Sequence, residues 1–193
     1  MPRPSMNARA PFAAVLLLLL LASPAASWGL RPPQLPRPLR LGRCSASIRM
    51  VSAVEQYRLT PKLLETVEGL RSLPDDKMRY KQLLYMATQC ADLDAVHKTS
   101  ENKVPGCLST VHVIGELRDE RVYFQGDSDG QLTKGLVKLL VDGLSGYTPA
   151  EIQVVDAEFI KHAGLGASLT PGRNNGFLNM LAVMKRKATQ LDG

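Results

Sequence analysis

The chain has little of what metal, disulfide and membrane proteins are built from. Its 193 residues include three Cys, three His and one Trp, and only 5% are aromatic. Three cysteines make no disulfide framework. His97, His112 and His162 are scattered, without metal-ligand spacing to one another or to cysteine. The apolar run Phe12–Ala22 is shorter than the roughly 20 residues that span a bilayer. Gly164-Leu165-Gly166 lacks the strand–turn–helix context of a dinucleotide loop. Acidic residues are missing altogether from positions 1–50.

That last absence explains the net charge of +6. Residues 1–50 hold seven of the 24 basic side chains and none of the 18 acidic ones, leaving 17 positive and 18 negative charges beyond them. The basicity belongs to the first segment. A nucleic-acid surface needs a basic patch on the folded part, and nothing beyond Lys185-Arg186-Lys187 offers one.

The first segment reads as a bipartite leader over residues 1–50. Arg3 and Arg9 precede the apolar run, and Ala25-Ala26-Ser27 supplies small residues for cleavage. This is the order of a signal peptide, about 1–27. Residues 28–50 carry Arg, Pro and Ser without acid, as an organelle transit peptide does. Together they predict delivery through the secretory route to a plastid inside extra membranes, with the mature form off the membrane. Secretion and a mitochondrial destination are the alternatives, and a membrane anchor fails on length.

Eight of the 13 prolines precede residue 50, and beyond it apolar periodicity begins. One domain is expected over 55–193. Thr60-Pro61 starts a helix that Gly69 is placed to end. Pro74-Asp75-Asp76 starts a second, with Tyr80, Leu83, Leu84, Ala87 and Cys90 on one face. Residues 92–109 lack periodicity and read as a loop. Val111, Val113 and Leu117, a polar turn at Arg118–Arg121, and Val122-Tyr123-Phe124 make a β-hairpin. Asp127-Ser128-Asp129 is placed to cap a third helix with a Leu132, Leu136, Leu139, Leu140 stripe; metal ligation or acid–base pairing by the two aspartates is the less favoured reading. Thr148-Pro149-Ala150-Glu151 fits a capping box, a short helix falls near Asp156–Ala163, and Thr170-Pro171 opens the last helix. There, Lys185-Arg186-Lys187 are placed to complement the dipole at its C-terminal end. Few, clustered strands with flanking helices predict an α+β fold: a small antiparallel sheet flanked by helices.

Cys107 stands out chemically. It lies in a loop stiffened by Pro105 and relieved of bulk at Gly106. A thiolate there can attack a sulfur–sulfur bond and hold the acquired sulfur as a reversible persulfide. A buried structural cysteine is the competing reading. Cys90, on an apolar helix face, reads as core.

Three segments carry a family resemblance. Asn102–Val111 around Cys107, Gly126-Asp127-Ser128-Asp129 with Lys134-Gly135-Leu136, and Ser168–Leu181 occur in that order. Together they resemble the SufE family of sulfur acceptors in its plastid type, from about Leu59 to Leu191. The resemblance implies a fold shared with the IscU scaffold. It implies a sulfur carrier rather than a stand-alone catalyst. Cys107 would accept sulfur from a SufS-type, PLP-dependent cysteine desulfurase, stimulate it, and deliver to a SufBCD scaffold for iron–sulfur cluster assembly. It implies no cofactor bound to this chain, and a monomer or homodimer. The cysteine loop is expected to shelter the thiol and swing out on docking. Arg173 matches an arginine of the third segment and is expected to support the thiolate or to dock the desulfurase. His112 stands where many members carry an aromatic residue, and reads as a strand residue. Two other functions compete with this reading: a non-covalent desulfurase adaptor, and an IscU-type cluster scaffold, which needs more converging ligands than two cysteines supply.

Overall fold

Thr60 shows how the helices are set. In the computed structural model, which describes residues 55–166 and 168–193, Thr60 is the N-cap of α1 (Pro61–Ser72). Its hydroxyl accepts from the Leu63 amide and donates to the Gly143 carbonyl at 2.5 Å. One side chain thus closes a helix start and ties it to a second helix. The expected leader, residues 1–50, lies outside the described residues. Gly69 does not end α1; the helix runs one turn further, to Ser72. Arg79 closes that end, donating to the Leu70 and Leu73 carbonyls, as a cation at a helix C-terminus does.

Helix α2 (Asp76–Thr88) is capped by the Asp75 carboxylate, which accepts from the Met78 amide. Leu83 and Ala87 are buried on its inner face, whereas Tyr80 is 41% exposed. A short 3-10 turn, Ala95–His97, follows. Strands β1 (Val111–Arg118) and β2 (Arg121–Ser128) pair antiparallel, with Val111 opposite Ser128 and Arg118 opposite Arg121. Asp119 and Glu120 between them have φ of 49° and 61°. A tight two-residue hairpin turn takes such a positive pair because it matches the twist of the strands.

Helix α3 (Gln131–Leu144) is the centre of the folded domain. Leu132, Leu136, Leu139 and Leu140 are buried as expected, but so are Thr133, Gly135, Val137, Gly143 and Leu144. A helix buried nearly all round needs partners on several sides; α1, α2 and β2 supply them. Gly135 lets α2 approach, for a Cβ there would overlap the Leu83 carbonyl. Helix α4 (Pro149–Gln153) opens with the expected capping box, in which Thr148 and Glu151 satisfy each other's amides. Helix α5 is one turn, Phe159–His162. Helix α6 (Pro171–Asp192) lies against β1, β2, α3 and α4 and buries Phe177, Met180, Leu181 and Met184. The architecture is α+β, one two-stranded sheet flanked by helices.

Two electrostatic expectations are corrected. Strand β2 continues through Asp127 and Ser128, so α3 starts later; its N-cap is Gly130, and no side chain caps it. Asp127 is instead a buried ion-pair centre and Asp129 a loop tether. Helix α6 runs on to Asp192 with no basic residue in its last turn. Lys185 reaches the Val155 carbonyl at 2.5 Å, just beyond α4, and Lys187 reaches Asn102 at 2.9 Å. These lysines bind other parts of the fold rather than their own helix end. Among the described residues no helix is long and apolar enough to cross a membrane.

Candidate functional site: the Cys107 loop

The loop is narrower than its sequence suggests. Residues 102–104 pair with β1: the Val113 amide donates to the Asn102 carbonyl at 2.9 Å, and the Val104 amide to the Val111 carbonyl at 2.8 Å. Val104 and Val111 are both buried. The free excursion is therefore Pro105–Thr110, six residues with their ends clamped together. Asn102 is fixed further by its side chain, whose nitrogen donates to the His97 carbonyl and whose oxygen accepts from the Lys187 ammonium.

The two limbs of this excursion are held differently. The outgoing limb is stitched down. The Thr110 amide donates to the Asp129 carboxylate at 2.9 Å, and the Asp129 amide donates back to the Thr110 carbonyl at 3.2 Å. The Thr133 and Ser109 hydroxyls meet at 3.2 Å. The incoming limb, Pro105–Leu108, rests on the first half of α6. Cys107 Sγ lies 3.5 Å from the Gly176 carbonyl oxygen, a weak S–H···O contact. A Cβ on Gly176 would stand 3.3 Å from that sulfur, and a Cβ on Gly172 would stand 2.7 Å from Leu108 Cδ1. Gly106, at φ +71°, turns the tip.

Cys107 is half-buried and packs against the core, while Leu108 beside it is 79% exposed. Burial pushes the Cys107 thiol up from its ordinary pKa, and no charged group opposes that shift. The resting sulfur is thus a neutral thiol at pH 7, and it becomes a better nucleophile when water or a partner's charges reach it.

Arg173, the second expected site residue, is exposed in the first turn of α6. Burial alone accounts for the raised Cys107 pKa, with no part played by the Arg173 charge. His112 is a half-buried strand residue opposite Asp127. Beside it, the Asp127 carboxylate meets Lys98 at 2.6 Å and Lys134 at 3.0 Å, and Lys134 also reaches Asp92. Burial drives the Asp127 pKa up. Hydrogen bonds from both lysines and from the Ser128 amide outweigh burial and hold it at about 2. Cys90 does not sit on the helix face expected for it: α2 ends at Thr88, and Cys90 lies two residues beyond, half-buried, with its thiol against the Gly126 carbonyl. Among the described residues no group of three or more His, Cys, Asp or Glu is arranged to hold a metal ion. Sequence reasoning placed Asn179, Gly176 and Gly172 in the third family segment but gave them no part in the site. They share one stripe of α6 at i, i+4 and i+7 spacing, a pattern of small or short polar residues that marks a seat only once the loop is known to lie on it.

Fold and site together define a class: a small α+β domain that presents one thiol at the tip of a clamped loop. Within that class, the chain belongs to the SufE family, whose profile, described as "Fe-S metabolism associated domain", matches residues 64–188. It is 45% identical over 130 residues to an uncharacterized SufE-like protein of Synechocystis, covering 67% of this chain and 82% of that one. It is 46% identical to the chloroplastic/mitochondrial SufE-like protein 1 of Arabidopsis thaliana, covering 69% of this chain and 36% of that protein. It is 41% identical to the cysteine desulfuration protein SufE of Plasmodium vivax, covering 72% and 58%. It thus spans most of the cyanobacterial relative but little more than a third of the plant one. A solution structure of a hypothetical protein from Thermus thermophilus shares the fold, with a TM-score of 0.61 at 23% identity over 69% of this chain and 97% of that one.

Proposed function

We propose that this protein is a sulfur carrier of iron–sulfur metabolism, loaded at Cys107 by a cysteine desulfurase. The observation that carries the reading is the placement of Cys107: the tip of a six-residue excursion whose ends are clamped and whose tip is held by few bonds. A thiol so placed can enter another protein's active site without unfolding the domain.

The transfer balances without an outside oxidant. Cys107 gives up its proton, and its thiolate attacks the terminal sulfur of a persulfide on the desulfurase. A new sulfur–sulfur bond forms at Cys107, the donor's sulfur–sulfur bond breaks, and the electron pair leaves with the donor's thiolate. The desulfurase is thereby reset, which is how a carrier stimulates it. The desulfurase, of SufS type, supplies the PLP chemistry. The loaded domain then gives its sulfur to the SufBCD scaffold. The family match and the Plasmodium relative's name support the desulfurase step. The acid-free leader and the chloroplastic/mitochondrial name of the plant relative support a plastid as the place of action.

The test is a desulfurase assay with Cys107→Ser. Loss of stimulation together with loss of sulfur uptake is the expected result. Stimulation that survives the substitution identifies a non-covalent adaptor instead.

A further inference from the structure

We infer that Asn179 is a positioning residue that latches the Cys107 loop to α6 and sets how often the loop opens. The role of that opening in sulfur transfer rests on the proposed function; the latch itself does not.

The outgoing limb of the loop has three polar ties to the β2–α3 junction. Between Pro105–Leu108 and the rest of the described residues there are two. One is the long Cys107 Sγ contact with Gly176. The other is the Asn179 side-chain amide, which donates to the Pro105 carbonyl at 3.0 Å. The same nitrogen sits 2.5 Å from where a Cβ on Gly106 would be, so the carboxamide lies directly against the turn that carries Cys107.

The seat has a simple order. Leu108 lies over Gly172, Cys107 over Gly176, and Gly106 over Asn179, so the loop runs antiparallel to the helix along one stripe. The two glycines give closeness but no directional bond. Leu108 gains little from its seat, being 79% exposed. Asn179 therefore supplies the one full-strength hydrogen bond on the moving limb. A net hydrogen bond shifts an equilibrium by about two- to tenfold. That is strong enough to hold the thiol at rest and weak enough for a docking partner to overcome.

An affinity limited by the open fraction rises in proportion when the latch is removed. Two effects of equal size follow from one substitution. Cys107 reacts faster with a small alkylating agent, and less carrier half-saturates the desulfurase.

The experiment compares the full chain with Asn179→Ala and with Asn179→Leu, which keeps the side-chain bulk but cannot donate. Iodoacetamide labelling of the Cys107 peptide is followed by mass spectrometry across pH, with Cys90 labelling as the internal control. Both variants are expected to label Cys107 about two- to tenfold faster, with the pH midpoint moved down as the thiol leaves its buried seat, and with Cys90 unchanged. Gly106→Ala, which presses on the Asn179 amide, is expected to act in the same direction. Labelling rates and midpoints equal to the parent's in both Asn179 variants overturn the latch. So does a rise in Ala alone, which assigns the effect to packing. Because no desulfurase is present, failure of the latch and failure of sulfur loading are read separately.

Discussion

The sulfur of Cys107 lies 3.5 Å from the carbonyl oxygen of Gly176, 69 positions further along the chain. Helix α6 offers the thiol bare backbone there because residue 176 has no side chain. The contact shelters the thiol from water and keeps its proton on.

The first consequence is a pH profile. Burial raises the Cys107 pKa, so the reactive thiolate is scarce at neutral pH and accumulates only above the ordinary thiol range. Alkylation of the resting protein is expected to climb with pH, with its midpoint above that of a free cysteine. A midpoint at or below the free value contradicts the sheltered seat.

Leu108 is the side chain that must accompany Cys107 into any partner. Adjacent Cα atoms are about 3.8 Å apart, so a sulfur delivered to a desulfurase brings Leu108 into the same interface. Its exposure at rest leaves apolar surface to be buried there, worth roughly 1.5–3 kcal/mol. Leu108→Ser is expected to weaken docking by about tenfold or more while leaving the melting temperature unchanged. Titration calorimetry with the desulfurase, alongside a thermal melt, checks both.

Asp127 gives the domain an acid sensitivity. Its carboxyl is held at about 2 between Lys98 and Lys134, below its unfolded value near 4. A depressed folded pKa contributes stability that is present above about pH 4 and is lost as pH falls towards 2. The contribution is on the order of 1 kcal/mol, reduced by the water that reaches Lys98. Asp127→Asn is expected to lower stability at pH 7 by more than at pH 3. Urea denaturation at the two pH values measures the difference; equal losses contradict the pairing.

Gly135→Ala tests the core. A Cβ at this position overlaps the Leu83 carbonyl, which is backbone and cannot turn aside, so α2 and α3 must separate. The expected loss is about 2–3 kcal/mol, read by denaturant unfolding. A loss under about half a kcal/mol would show that the helices separate more readily than this packing implies.

Local chemistry was legible in the sequence wherever one side chain acts on its own segment. Thr60, Asp75 and the Thr148–Glu151 box start helices as their types dictate. The hairpin follows from alternation around a polar turn, and Cys107 from its loop. Long-range pairing was not legible. Asp127 has the pattern of a cap, yet Val111 across the sheet extends β2 through Ser128, and the distant Lys98 and Lys134 claim its carboxylate. Lys185 and Lys187 sit on a helix that still has more than a turn to run, so their partners are Val155 and Asn102. Nothing local marks Asn179, whose partner Pro105 is 74 positions away.

The most direct test is mass spectrometry of the protein after incubation with a cysteine desulfurase, PLP and cysteine. The account predicts a gain of about 32 Da, one sulfur, on the peptide containing Cys107, removed by reductant. A Cys107 peptide of unchanged mass, under conditions where the desulfurase turns over faster in its presence, would contradict it.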